Sequence, residues 1–321
     1  MINACKPERW NSDTSASIQQ YNEWFMSTAP KAFQDQRKDS LEHVQQMFSD
    51  CGYLSNLTAD YLCQHPKDLK VFRMMCSPVL AKDRLAGLSS VRKSLIGSME
   101  EMEEGKTLPS KNKADVAAML NILEKLRDRY LFQWTVENRE PTELELTVAI
   151  SVLADRLCGS LTDPVIRNAQ EKRQLDALSA YLDRKGYIKV SDPDIDAFSM
   201  SPGTYSFHKN VSLFKNALNA EAGYVKTPVD VVVMPFVGGG VPVLIECKSA
   251  GDATNTNKRR KEEDTKVAQL RATYGDVTLY LFLCGYFDAG YLGYEAANHM
   301  DWVWEHRIED FDEVIPSAAR I

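Results

Sequence analysis

The sequence predicts an α/β (α+β) protein, with a mixed central sheet flanked by helices and a helical N-terminal region. Three observations predict it. Through the first half, apolar residues recur at three- and four-residue steps, as in Leu41, Val44, Met47 and Phe48, the spacing that lines one face of a helix. After Gly186 the pattern changes to short β-branched and apolar runs at 229–236 and 241–247. Between those runs stand Gly238, Gly239 and Gly240, which permit the positive φ angles that a tight reversal needs.

The elements follow in order. Residues 15–105 read as helices, with breaks at Pro30, Gly52, Pro66 and Pro78. The charged stretch 100–106 ends a helix, and 109–113 forms an exposed joint. Helices resume over 114–131 and 142–158. Pro164 is suited to the first turn of another. That helix carries Ile166, Ala169, Leu175, Leu178 and Leu182, and Gly186 stops it. A short strand at 187–190 leads to the glycine hairpin. A polar helix over 258–274, with Val267 and Leu270 inward, precedes a buried strand at 277–283. The expected organisation is a helical region over 1–140 and an α/β core over 141–321.

Composition narrows the function. With 321 residues, 44% hydrophobic and 26% charged, the chain has ample material for a core, as one large domain or two ordinary ones. It has no apolar run of membrane-spanning length. Its start, Met1-Ile2-Asn3-Ala4-Cys5-Lys6, lacks the charged-then-apolar signal pattern. The seven cysteines (Cys5, Cys51, Cys63, Cys76, Cys158, Cys247, Cys284) are odd in number and form no CxxC. They argue against a disulfide framework or zinc ribbon, and for a reducing cytoplasm. A formal charge of −7 disfavours a DNA-coating protein, yet leaves room for a local basic patch.

The chemistry concentrates on the hairpin. In Leu244-Ile245-Glu246-Cys247-Lys248-Ser249, strand alternation puts Glu246 and Lys248 on one face and Cys247 on the other. With the turn centred on Gly239, Asp230 stands opposite Lys248, and Glu246 is its diagonal neighbour at roughly 7–8 Å. Pro235 and Pro242 can shift that register. Charges on an apolar sheet are costly to desolvate unless paired or bound to metal. Two carboxylates and a main-chain carbonyl form a hard oxygen half-shell that suits Mg²⁺. Such an ion polarises a phosphorus–oxygen bond and acidifies a bound water. Lys248 then orients the water or stabilises charge on phosphorus, giving a 3′-hydroxyl and a 5′-phosphate. Against this stands a solvated Glu–Lys ion pair. Val231, Val233, Val243 and Ile245 argue for a buried strand instead.

Pro228-Val229-Asp230 followed by Glu246-Cys247-Lys248 resembles the PD-(D/E)xK nuclease signature, although the residue directly before Asp230 is Val229 and the proline lies one further back. The stretch 168–175 (Asn-Ala-Gln-Glu-Lys-Arg-Gln-Leu), with Tyr181-Leu182 and Gly186-Tyr187, resembles the helix-then-strand entry to that core. The resemblance implies an extra acid near the metal, at Glu171. The long run 246–263 resembles XamI-type type II restriction endonucleases. So do 280–287, 302–307, 73–78 and 82–85. This similarity implies a restriction-endonuclease-like core and Mg²⁺-dependent, site-specific hydrolysis of double-stranded DNA, within a restriction-modification system. Asp230 and Glu246 would hold the metal, with Lys248 and Glu171 completing the catalytic set. A homodimer on a short palindrome of the GTCGAC type is implied as well. The helical region is then the dimer surface, a DNA-backbone contact, or both.

The polar segment after Lys248 follows the active-site strand directly. Asn255, Asn257, Lys258, Arg259 and Arg260 are candidates for base or phosphate contact, because Asn matches the adenine edge and Arg the guanine edge. The alternative is a solvated helix start balanced by Glu262, Glu263 and Asp264. Glu262 or Glu263 is a further metal candidate ranked below Glu171. Other features point nowhere specific. Asp192, Asp194 and Asp196 lack the glycine and terminal Glu of a calcium loop. Gly285-Tyr286-Phe287 and Tyr291-Leu292-Gly293 stand too close together for a GIY-YIG nuclease. His43, His65, His208 and His299 have no partners at metal-ligand spacing, and His306 reads as packed. Two rival readings remain: a DNA repair or phage nuclease on the same core, and a non-catalytic DNA-binding module.

Overall fold

The computed structural model describes residues 1–321 except 104, 220, 222, 238–240, 253–255, 276 and 319–321, and describes residues 256–262 by their backbone only. The chain forms two units, Ala29–Val165, and Met1–Thr28 together with Ile166–Ile321.

The first unit is helical. It contains most of α1 (Trp10–Asp50), then α2 (Ala59–Gln64), α3 (Leu69–Met74), α4 (Lys82–Ser89), α5 (Lys93–Glu100), α6 (Lys113–Leu126) and α7 (Gln133–Val136), and the first half of α8 (Glu143–Arg184). Val44, Met47 and Phe48 form the predicted inner stripe of α1. They join Phe72, Leu85, Ile96, Met119, Trp134 and Leu153 in one buried cluster. Thr58 caps α2 by accepting the Tyr61 N–H.

Two expected breaks are absent. Pro30 lies inside the 41-residue α1, and Pro164 lies inside the 42-residue α8 instead of starting a helix. A proline inside a helix removes one hydrogen bond and crowds the carbonyl four residues back. Helices this long bury apolar residues on both sides of the proline, such as Leu153 and Leu157 before Pro164 and Leu175 and Leu178 after it, and that burial outweighs one lost bond.

The second unit is built on a six-stranded sheet in the order β1 (Ile188–Lys189), β2 (Thr204–Phe214), β3 (Tyr224–Met234), β4 (Val243–Ala250), β5 (Leu279–Gly285), β6 (Asp301–Trp304). The β2–β3 and β3–β4 pairs are antiparallel, whereas β1–β2, β4–β5 and β5–β6 are parallel. Parallel steps need crossovers. The last two are made by α9 (Thr256–Tyr274) and α10 (Ala289–Ala297). The sheet is mixed and flanked by helices, as expected. Strands β2 and β6 and helix α10 were not anticipated.

Each face of the sheet buries its own cluster. One face carries Leu244, Leu279, Leu281, Leu283, Trp302 and Trp304 against Val267 and Leu270 of α9. The other carries Ile245, Phe282 and Val303 against Leu175, Leu178, Tyr181 and Leu182 of α8. The start of the chain is tied to the sheet by Asp301. Its carboxylate accepts the backbone N–H groups of Ile2, Asn3 and Ala4, the last two at 3.0 Å. No helix among the described residues is long and apolar enough to cross a membrane. All seven cysteines are free.

The hairpin register corrects the expectation. Val231 pairs with Ile245, Val232 with Leu244 and Val233 with Val243. Asp230, one step beyond the last pair, is therefore aligned with Glu246 and not with Lys248. Pro235 and Pro242 stand just outside both strands, where a missing N–H costs the ladder nothing, and β3 ends earlier than expected. The glycine bend at 238–240 lies outside the described residues.

Candidate active site

The site forms where β3 and β4 part. On β4, alternation places Glu246 and Lys248 on the α9 face with Leu244, and Cys247 on the α8 face with Ile245. Strands β2 and β3 do something less regular. Tyr205 and Phe207 pack on the α8 side, whereas Val211 and Leu213 pack on the α9 side. Likewise Val231 belongs to the α8 side and Val229 to the α9 side. Residues two apart on a regular strand share a face, so both strands turn over between these positions. The turnover points are His208, whose φ is +50°, and Asp230. The pairs Phe207–Val231 and Lys209–Val229 bracket them in register.

This local twist brings His208 and Asp230 to Glu171 of α8. One ligand atom from each of the three lies within 4.8 Å of the others, and His208 Nε2 is 3.7 Å from Glu171 Oε1. His208 thus has the metal-ligand neighbours that its sequence spacing denied it, because ladder register and not chain distance supplies them. Asp230 Oδ2 accepts the Cys247 N–H at 2.8 Å, so the aspartate side chain takes a bond that a continuing ladder would have used.

Glu246 is not in that group of three. It is buried, and lysines hold both of its oxygens. Lys248 Nζ is 3.4 Å from Oε2, and Lys266 Nζ of α9 pairs with Oε1. Lys248 also lies 3.8 Å from Glu263 Oε1, and the Tyr291 hydroxyl donates to Glu263 Oε2 at 2.8 Å. Behind β4, Gln174 of α8 is 1% exposed. Its amide donates to the carbonyls of Phe282 at 3.0 Å and Lys248 at 3.4 Å, and accepts from Ser249 Oγ at 3.2 Å. The cleft has a volume of about 270 Å³ and is lined by Arg167, Gln170, Glu171, Asp230 and Lys248 among others.

Acidic groups crowd together here: the ligand atoms of Glu171 and Asp230 lie within 4.8 Å of one another, and Glu246 is aligned with Asp230 on the next strand. Burial and then the Glu246 charge raise the Asp230 pKa, against the Cys247 N–H and the two lysines. Burial lowers the Lys248 pKa, but Glu246, Glu263 and Asp230 outweigh it and keep the group an ammonium. Burial and the same acids push the Cys247 thiol well up, so it is no nucleophile. Two carboxylates and an imidazole whose ligand atoms lie this close together fit a divalent cation.

The predicted Asp230, Glu246, Lys248 and Glu171 therefore come to one region. His208, Lys266 and Gln174 were missed. Gln174 left a trace, as a polar residue adjoining the apolar stripe of α8, and so did Lys266, next to the inward Val267. Of the DNA candidates, Asn255 lies outside the described residues. Asn257, Lys258, Arg259 and Arg260 open α9, but their side chains, like that of Glu262, lie outside them too.

No solved structure matches the chain. The type II restriction enzyme SalI of Streptomyces albus G is 47% identical over 323 residues, covering 97% of this chain and 99% of that protein. A family model described as XamI restriction endonuclease matches residues 52–304. The chain belongs to the XamI restriction endonuclease family and is a type II, site-specific deoxyribonuclease.

Proposed function

We propose that Asp230 and Glu246 hold Mg²⁺ and that Lys248 assists the attacking water in cutting double-stranded DNA to 5′-phosphate ends. The observation that carries this reading is the gathering of Glu171, His208 and Asp230 within 4.8 Å of one another where β3 and β4 part, with Glu246 aligned with Asp230. When bound, the cation supplies polarisation of the scissile phosphorus–oxygen bond and a more acidic water. Glu171 is the further acid of the site, and His208 stands beside it. Lys248, kept charged by its acidic neighbours, orients the water and offsets charge that builds on the phosphoryl oxygens. Gln174 holds the Lys248 and Phe282 carbonyls in place, which fixes the strand from which Glu246 and Lys248 project.

The duplex contacts fall to Asn255 and to Asn257, Lys258, Arg259 and Arg260 at the start of α9, which read bases or hold phosphates. The enzyme works as a homodimer on a short palindrome of the GTCGAC type, in the cytoplasm. In this reading residues 1–140 serve dimer or DNA-backbone contacts and 141–321 form the PD-(D/E)xK core.

Sequencing the ends released from a plasmid library in Mg²⁺ tests the reading. It expects a single short palindrome with 5′-phosphates. Cutting at ends or lesions regardless of sequence would point to a repair nuclease. Lys248→Ala is expected to lower cutting by about 10³-fold and to spare specific binding; turnover retained in that variant removes Lys248 from its role. DNA bound but never cut, and bound equally well by Glu246→Ala, would indicate a non-catalytic module.

A further inference from the structure

Helix α9 presents Glu263, Lys266, Val267 and Leu270 along one face, at helical spacing. Val267 and Leu270 are core residues in one cluster with Leu244, so the helix is fixed on the face of β4 that carries Glu246 and Lys248. Lys266, with its side chain 14% exposed, is thereby delivered to the Glu246 carboxylate. It also donates to the carbonyl of Pro228, two residues before Asp230. One ammonium therefore bridges oxygens from both strands of the site. A carboxylate and a main-chain carbonyl are the oxygen donors that a hard cation takes.

Each oxygen of Glu246 faces an ammonium, so a cation drawing on that carboxylate meets like charge at either one. Lys248 answers to three acids, Glu246, Glu263 and Asp230. Lys266 answers to two, Glu246 and Asp230, and to a neutral carbonyl, and has less to lose. We propose that Lys266 is a built-in counter-ion that occupies Glu246 until a divalent cation is taken up, and so sets the affinity of the site for that cation. This rests on the reading that Asp230 and Glu246 hold the ion.

Titration of the full-length protein with Mn²⁺ alone, without DNA, tests it. Lys266→Met is expected to tighten Mn²⁺ binding by about tenfold or more, because a unit positive charge beside the cation is gone. Lys266→Arg keeps the charge and is expected to bind like wild type. An unchanged or weaker affinity in Lys266→Met overturns the proposal. A second readout uses the wild-type protein and no variant. Mn²⁺ is expected to raise the rate at which an amine-acylating reagent labels Lys266, scored by mass spectrometry; an unchanged rate also overturns it. Asp230→Asn separates this inference from the one beneath it. If that variant loses Mn²⁺ binding while Lys266→Met matches wild type, the cation site stands and the counter-ion falls. If Asp230→Asn binds as tightly as wild type, the cation site itself is wrong and the counter-ion falls with it.

Discussion

Both units bury carboxylates, and the cleft of the sheet unit treats Asp230 differently from the way the helical unit treats Glu100. In the helical unit, the Glu100 side chain is 1% exposed and meets Arg73 twice, at 2.6 and 3.0 Å, with Lys82 at 3.3 Å. Two cations serve one anion. Asp68 is held by His43 at 2.7 Å and by the Tyr61 hydroxyl at 2.5 Å. At the cleft of the sheet unit, Asp230 instead stands beside a second acid, Glu246, and burial and then that charge raise its pKa. Glu100 has its charge matched on the spot. The ionised form of Asp230 is disfavoured by folding alone, and cation binding would relieve it.

The largest expected effect breaks a matched pair. Arg73→Met leaves Glu100 buried beside Lys82 alone and is expected to cost about 3–5 kcal/mol, the usual penalty for stranding one member of a buried pair. Denaturant unfolding measures it. The double change Arg73→Met with Glu100→Met should recover most of the loss, since Lys82 retains Glu101 at 3.4 Å. A single variant as stable as wild type would show that the helical unit does not depend on charge matching.

A smaller effect sharpens the sheet side. Gln174→Leu removes three hydrogen bonds between α8 and strands β4 and β5 and leaves Asp230, Glu246 and Lys248 in place. Cutting is expected to fall by about 10- to 100-fold, as for partners that orient a metal site, with DNA affinity nearly unchanged. Single-turnover cutting and equilibrium binding, run on fully folded protein, separate the two. An unchanged rate would mean that the ladder alone holds Lys248.

The cleft was partly legible in the sequence. Strands β3 and β4 announced themselves through β-branched runs, and alternation along β4 placed Glu246 and Lys248 together without any coordinates. Glu171 came from the family likeness. The rest depends on what strand pairing does at a distance. Residues 204–214 mix Thr, Ser, His, Lys and Asn with apolar residues, and the turnover at His208 disrupts their alternation, so β2 has no clean period-two signal. His208 met Asp230 only once β2 was known to pair with β3. Met1–Thr28 read as part of the helical region, yet they belong with the sheet. Part of their tie is the Asp301 carboxylate on three main-chain N–H groups, with Asn3 on the Trp302 carbonyl and Ser17 accepting the Gly285 N–H, which no local side-chain pattern reports. The continuous helices through Pro30 and Pro164 show the same limit. A local rule was outweighed by burial on both flanks.

The smallest expected effect has the opposite sign from the first. Asp230 has a raised pKa, through burial and then Glu246, so the folded protein holds its proton more tightly than the unfolded chain does. Between the unfolded carboxylate value, about 4, and the higher folded one, the native state carries more protons, and stability falls as pH rises. The cost is complete above the folded value and absent well below pH 4. Asp230→Asn removes it, and the Asn oxygen can still accept the Cys247 N–H. That variant is therefore expected to be inactive yet more stable at neutral pH by about 1 kcal/mol, or a few degrees in Tm. The gain should shrink as pH falls through the folded value, in melts without divalent ions. A gain that stayed constant with pH, or a loss, would mean that Asp230 is matched as fully as Glu100, and the contrast between the two units would collapse.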